Sequence, residues 1–77
     1  MPQAFVLINV ESGPEEEVVE QLKKVDGVLE AHFSYGVYDI IAKIKADSME
    51  NLKDMVTRKI RTLNRVRSTL TLIMMEE

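Results

Sequence analysis

The segment VLEAHFSYGVYDIIAKIK, residues 28–45, decides the fold because its pattern predicts a β-hairpin. Residues 28–34 are predicted to form one strand and residues 38–45 the next, in which side chains alternate more clearly between two faces. The chain is predicted to reverse at residues 35–37, where Gly36 tolerates backbone angles that other residues avoid. A hairpin of this length requires further elements to cover at least one of its faces.

The alternation in the second strand of the hairpin predicts which side chains meet the rest of the domain. The side predicted to pack on helices carries Tyr38, Ile40, Ala42 and Ile44. The opposite side carries Asp39, Ile41, Lys43 and Lys45. A carboxylate beside an apolar run is not explained by the turn alone, so Asp39 is a candidate functional residue.

Outward from the hairpin, the pattern predicts two helices and two further strands. Residues 4–10, AFVLINV, are apolar on both faces and predict a strand. Residues 14–25 predict a helix with acids in its first turn, and Gly27 follows as a left-handed terminating residue. The second helix is predicted from a capping box with Asp47 at the N-cap to about residue 64, and the last strand over residues 66–75.

The predicted order β-α-β-β-α-β indicates an α+β protein with a ferredoxin-like sandwich, a four-stranded antiparallel sheet with two helices on one face. Seventy-seven residues make one domain, residues 1–77. The last strand is apolar on both sides, so either Thr69, Thr71, Ile73 and Met75 or Leu70, Leu72 and Met74 can occupy the open face of the sheet. Because that face is largely apolar, we expect a homodimer in which two copies pack sheet against sheet.

Composition excludes several classes of function. With no cysteine and a single histidine, disulfides and a zinc site are not expected. The net charge of −3 disfavours a dedicated nucleic-acid-binding domain. No apolar run is long enough for a membrane span and no signal peptide is visible, so we expect a complete, cytoplasmic polypeptide. No nucleophile–base pair or metal constellation is apparent, so neither an enzyme nor a cofactor is predicted.

Basic residues gather in the second predicted helix and the strand that follows it. They are Lys53, Arg58, Lys59, Arg61, Arg65 and Arg67. They suit either a nucleic-acid contact or ion pairs between subunits with the acids of residues 15–17 or Glu20. We favour ion pairs, because the cations are spread around a helix and the whole chain is acidic.

The chain resembles the effector-binding domain, often called the RAM domain, of the leucine-responsive/asparagine regulator (Lrp/AsnC) family over essentially all of its length. The resemblance rests on the opening strand AFVLINV, the helix and turn GPEEEVVEQLKKVDGV, the segment YGVYDIIAKI with a G-x-x-D pattern, and the closing VRSTLTLIMMEE. Family members usually begin with a DNA-binding helix-turn-helix domain, for which this sequence has no room. The resemblance is therefore to a stand-alone form without direct nucleic-acid contact.

The resemblance implies a sensor of amino acids that works as an oligomer. Dimers would assemble into an octamer-like ring, bind an amino acid between neighbouring dimers and associate with full-length Lrp/AsnC regulators. The implied ligand-binding residues are Tyr35, Gly36, Val37, Tyr38, Asp39, Ser68, Thr69 and Thr71. Asp39 would accept a hydrogen bond from the ammonium group of the ligand. Threonine hydroxyls and backbone N–H groups near Gly36 would donate hydrogen bonds to the carboxylate of the ligand.

Each implied site residue also has an ordinary structural role. Gly36 suits any hairpin turn, and Thr69 and Thr71 are common strand formers. The alternative function is therefore an oligomerisation module without a ligand. In that case we expect replacement of Asp39 by Ala to leave every measured property unchanged.

Overall fold

The elements follow the order β-α-β-β-α-β, as the sequence predicts. The computed structural model describes residues 1–11, 13 and 15–74. Its elements are β1 Gln3–Val10, α1 Glu15–Lys23, β2 Val28–Phe33, β3 Ile40–Lys45, α2 Met49–Met55 with a π-helical turn Val56–Ile60, and β4 Val66–Ile73. The predicted helix start at Pro14 and the predicted strand end at Met75 lie outside the described residues.

The four strands form one antiparallel sheet in the order β2-β3-β1-β4. The central pair β1 and β3 is registered by Ile8 opposite Ile40 and Val6 opposite Ala42. This arrangement confirms the predicted ferredoxin-like sandwich. It leaves β2 and β4 as the two edge strands.

One face of the sheet is buried beneath the helices. Along β1 the buried and half-buried side chains alternate without interruption, so every second residue enters the core. Val18 and Leu22 of α1 pack there, as do Leu52 and Ile60 from α2 and its π-helical turn. All charged side chains of the described residues stay outside this core.

The pairing of β4 with β1 shows which side chains of β4 point to the helices and which lie on the uncovered side of the sheet. Thr69 lies opposite Ile8, so it and the residues two and four positions later face the helices. Leu70 lies opposite Leu7 and Leu72 opposite Phe5, so the leucines occupy the uncovered side. Of the two arrangements left open by the sequence, the structure selects the leucines for the open face.

The uncovered side of the sheet is apolar at its centre, and we call it the open face. Its apolar side chains are Phe5, Leu7, Ile41, Leu70 and Leu72. Polar side chains lie nearer its margins, His32 on the edge strand β2 and Asn9 toward the end of β1. Leu70 and Leu72 remain 43% and 49% exposed, which is a large apolar exposure for adjacent positions on one strand face.

Several predicted boundaries were wrong by one to four residues. The N-cap of α2 is Ser48, not Asp47, because the Ser48 hydroxyl accepts a hydrogen bond from the N–H of Asn51 at 3.1 Å. The last helical segment ends at Ile60 instead of residue 64, since its final turn is π-helical. The first helix ends at Lys23, and β3 begins at Ile40 instead of Tyr38.

Gly27 connects α1 to β2 and has a positive φ of 96°. A Cβ at this position would lie 2.7 Å from the carbonyl oxygen of Lys45, which cannot move without disturbing β3. Gly36 also has a positive φ, of 130°, but a Cβ there would meet nothing within 4 Å. Glycine is therefore required at position 27 by both its backbone angle and lack of space, but at position 36 by its backbone angle alone.

We predict that Gly27→Ala lowers the free energy of unfolding by about 2 kcal/mol, because backbone strain and a clash add. Gly36→Ala is expected to cost about 1 kcal/mol, from strain alone. Urea denaturation at one fixed protein concentration measures both. Equal losses for the two variants would contradict the clash.

Candidate functional site

The hairpin loop, residues 34–39, projects from the end of the sheet. Its base is closed by hydrogen bonds from the Ser34 N–H to the Asp39 carbonyl at 2.8 Å and from the Asp39 N–H to the Ile8 carbonyl at 3.0 Å. Between these anchors the side chains of Tyr35 and Val37 are 99% and 81% exposed. A tyrosine and a valine held in the open on a well-anchored loop form a natural contact surface for another molecule.

Asp39 has a structural role that the sequence did not reveal. Its Oδ2 accepts a hydrogen bond from the backbone N–H of Val10 at 3.0 Å. Val10 lies beyond Ile8, the last residue of β1 that pairs with β3, so the carboxylate replaces a missing backbone acceptor. The other carboxylate oxygen accepts no hydrogen bond within the described part of the chain, which leaves it available to an outside donor.

Asp39 and Ser68 come together in one small pocket of about 350 Å³. Asn9, Val10 and Arg67 complete its lining. The Asn9 side-chain amide donates to the Ser68 hydroxyl at 3.4 Å. The pocket thus combines a carboxylate, a hydroxyl, an amide and a guanidinium at the end of β1.

Thr69 and Thr71 lie elsewhere, in a groove of about 470 Å³ that we call the β4 groove. It runs between β4 and the helical segment formed by α2 and its π-helical turn. Its other lining residues are Leu52, Val56 and Ile73, which are apolar, and Lys53, Thr57 and Arg61. The two threonine hydroxyls therefore share a groove with two cations and an apolar wall.

The predicted site residues thus fall into two groups within one protomer. Tyr35, Gly36 and Val37 are on the exposed hairpin loop, with Tyr38 half-buried at its base. The pocket at Asp39 and the β4 groove lie on opposite faces of the sheet, because Ser68 and Thr69 are successive residues of one strand. A single copy does not bring Asp39 and the threonines together.

Sequence reasoning missed the helical wall of the β4 groove. Lys53, Thr57 and Arg61 follow one another at intervals of four and lie along one side of the helical segment. That spacing beside a strand with two threonines was the available signal. The interpretation instead assigned these cations to ion pairs between subunits.

Two of the basic residues pair within their own chain. Arg58 Nε lies 2.9 Å from an oxygen of Asp54, and Arg65 Nε lies 3.7 Å from an oxygen of Glu17. The pairing of Arg65 with an acid of the first helix agrees with the predicted partners, but it forms inside one protomer. Lys53 and Arg61 have no acidic partner among the described residues.

A third cavity, of about 500 Å³, lies near the N-terminus and the start of α2. Its lining mixes acids such as Asp26 and Asp47 with Lys45 and Lys59. It contains none of the predicted site residues. In the described part of the chain no three His, Cys, Asp or Glu side chains are grouped to hold a metal ion, and no helix there has the length and apolar character of a membrane span.

Comparison with known proteins identifies the family. The family model of the Lrp/AsnC ligand binding domain matches residues 3–77. The chain belongs to this family. An HTH-type transcriptional regulator of Pyrococcus furiosus is 38% identical over 73 residues, which are 91% of this chain and 49% of that protein. The chain therefore spans about half the length of such Lrp/AsnC relatives.

Solved structures support the same assignment. The crystal structure of a hypothetical protein from Pyrococcus horikoshii has a TM-score of 0.91 and 38% identity, covering 100% of this chain and 93% of that one. A transcriptional regulator of Neisseria meningitidis, solved as a complex with L-Met, has a TM-score of 0.87 and covers 99% of this chain and 51% of that one. At 17% identity the second likeness shows the fold alone.

The Asp39 hydrogen bond predicts a difference between two substitutions. Asp39→Ala leaves the Val10 N–H without its acceptor and is expected to lower the free energy of unfolding by about 1–3 kcal/mol. Asp39→Asn keeps an oxygen at the same place and should change the free energy of unfolding by only a few tenths of a kcal/mol. Chemical denaturation measures both, and an equal loss for the two variants would refute the role of the side-chain oxygen.

Proposed function

We propose that this Lrp/AsnC domain is an amino-acid sensor whose ligand site is completed between two copies of the chain. The main support is the exposed hairpin loop, where Tyr35 is 99% exposed and Asp39 keeps one carboxylate oxygen without a hydrogen bond to the described residues. Groups suited to an amino acid occur in two separate places on one protomer. Bringing the loop of one copy to the β4 groove of another would unite them.

The first step of assembly is a dimer through the open face. Phe5, Leu7 and Ile41 form an apolar centre on this face, and Leu70 and Leu72 extend it along β4. Covering such a surface with an identical surface removes apolar area from water, which favours association. Dimers of this kind then present hairpin loops and β4 grooves to other dimers, and we propose an octamer-like ring as the end state.

We predict that Leu70→Lys converts the dimer to monomers at micromolar concentration. A lysine at the centre of the interface would bury an unpaired charge, weakening association by about 100-fold or more. Met49→Lys is a matched control, because Met49 is 41% exposed, close to the 43% of Leu70, but lies at the start of α2 away from the open face. Sedimentation velocity distinguishes the variants, and a Leu70→Lys variant that stays dimeric would exclude this interface.

The chemistry of the composite site matches the common part of an amino acid. The free Asp39 oxygen of one copy accepts a hydrogen bond from the ligand ammonium, a charge-assisted contact. The hydroxyls of Thr69 and Thr71 in the other copy, with backbone N–H groups near Gly36, donate to the ligand carboxylate. Tyr35 and Val37 close the site over the ligand and exclude water.

Sensing follows if the ligand binds better to the assembled state than to separate dimers. A site made from two copies exists only where they meet, so ligand binding stabilises that contact. Because the chain matches about half of a Pyrococcus furiosus transcriptional regulator, we propose full-length regulators of the family as its partners. The proposed role is regulatory rather than enzymatic, in the cytoplasm.

Isothermal titration calorimetry against the twenty amino acids tests the function, with methionine included because of the Neisseria meningitidis complex. At least one is expected to bind and to increase the assembled fraction in parallel sedimentation experiments. Asp39→Asn should weaken that binding by about 10- to 100-fold, since it removes the charge while keeping the oxygen that holds Val10. Asp26→Asn, an exposed acid in the turn before β2, is the control and should bind as the wild type does.

A module that only assembles is the second candidate, and the apolar open face favours it equally. It predicts no heat with any amino acid and the same assembly for Asp39→Asn as for the wild type. The sensor predicts the opposite in both measurements. The two functions therefore separate cleanly in one set of experiments.

A further inference from the structure

Two cations of the β4 groove have no acidic partner in the part of the chain that the structure describes. Arg58 and Arg65 pair with Asp54 and Glu17, whereas neither Lys53 nor Arg61 contacts an acid among the described residues. Lys53 also borders a shallow depression with Glu50 and Asp54, so its charge is partly balanced by neighbours. Arg61 has no acid among the described groove residues around it, so it is the stronger indication that the groove binds a negatively charged group.

Among the described residues, the lining of the β4 groove contains no aspartate or glutamate. Its two cations give it a charge of +2, and the Asp39 carboxylate of a neighbouring copy would reduce this to +1. Closing the groove with that copy removes water from the cations. A desolvated cation without a partner is costly, so the closed site requires one more negative charge.

A ligand with one negative charge in excess would supply this charge. An ordinary zwitterionic amino acid carries none in excess, because its ammonium and carboxylate cancel. A dicarboxylic amino acid carries one, on a side chain whose methylene groups suit the apolar wall of Leu52, Val56 and Ile73. The planar guanidinium of Arg61 can bind that second carboxylate through two parallel hydrogen bonds.

We infer that the proposed ligand site selects an acidic amino acid, of the aspartate or glutamate type, through Arg61 with support from Lys53. This inference rests on the proposed function, since it needs the β4 groove to be the side-chain half of the site. It assigns Arg61 as the specificity-determining residue and leaves recognition of the ammonium to Asp39.

Arg61 directly follows the π-helical turn. The Arg61 N–H donates to the Val56 carbonyl at 2.9 Å, five residues back instead of four. Arg61 lines the same groove as Lys53 and Thr57, while the preceding Ile60 is buried in the core. Single π-helical turns of this kind occur frequently at functional sites.

Calorimetry with glutamate, aspartate, their two amides, methionine and lysine tests the inference on the intact, assembled protein. Glutamate and glutamine have the same length but differ by one charge, and glutamate or aspartate is expected to bind at least about 10-fold more tightly than its amide. Methionine and lysine represent the uncharged and basic alternatives and should bind more weakly still. Raising the salt concentration should weaken glutamate binding more than glutamine binding.

Variants of Arg61 separate recognition from folding. Arg61→Gln should weaken glutamate binding by about 10-fold or more and leave glutamine binding nearly unchanged, and Arg61→Lys should restore part of the loss. Lys59→Gln is the matched control, because Lys59 lines the cavity near the N-terminus instead of the groove. Circular dichroism and sedimentation of each variant verify that fold and assembly are retained.

The outcomes distinguish this inference from the proposed function. If glutamine, methionine or lysine binds as tightly as the acidic amino acids, the charge selection is refuted while amino-acid sensing stands. If Arg61→Gln binds glutamate as the wild type does, the role of Arg61 is refuted. If no amino acid binds to the assembled protein, both the sensor and its specificity are overturned.

Discussion

The register between β1 and β3 is the constraint on which the rest of this structure depends. Ile8 opposite Ile40 sends one side of both strands into the core and the other to the open face. A slip of one residue would exchange the two sides and expose the core. The same register ends just before Val10, which creates the unpaired N–H that the Asp39 carboxylate satisfies. Packing, the open face and the position of the candidate ligand residue thus follow from one strand pairing.

The element order was predictable because its signals are local. The alternation in residues 38–45, the glycine after the first helix and the spacing of apolar residues in the second each depend on a few neighbours along the chain. Which face of β4 points to the helices was not predictable, because both faces carry residues that tolerate burial. Only the pairing with β1 distinguishes them. The prediction of Asp47 as the N-cap failed for a related reason, since the N-cap is Ser48. Both residue types cap helices, and the chain path decides which one does.

The sequence supplied candidate site residues but not their arrangement in the structure. The hairpin loop and the threonines of β4 were identified through the family resemblance, but nothing in the sequence indicated that they lie apart on one protomer. The bond from Val10 to Asp39 joins residues 29 positions apart, which no local pattern reports. The helical wall with Arg61 was missed because spacing by four shows that residues share one side of a helix, but not which strand lies beside that side.

The structural bond of Asp39, together with its proposed contact to a ligand, has an evolutionary consequence. One oxygen holds the end of a strand, so selection for stability alone favours an oxygen acceptor at this position whether or not any metabolite is bound. A lineage that lost its ligand would be free to exchange the acid for its amide but would resist smaller residues. The charge at this position, rather than the mere presence of a side chain able to accept a hydrogen bond, is therefore the heritable mark of recognition.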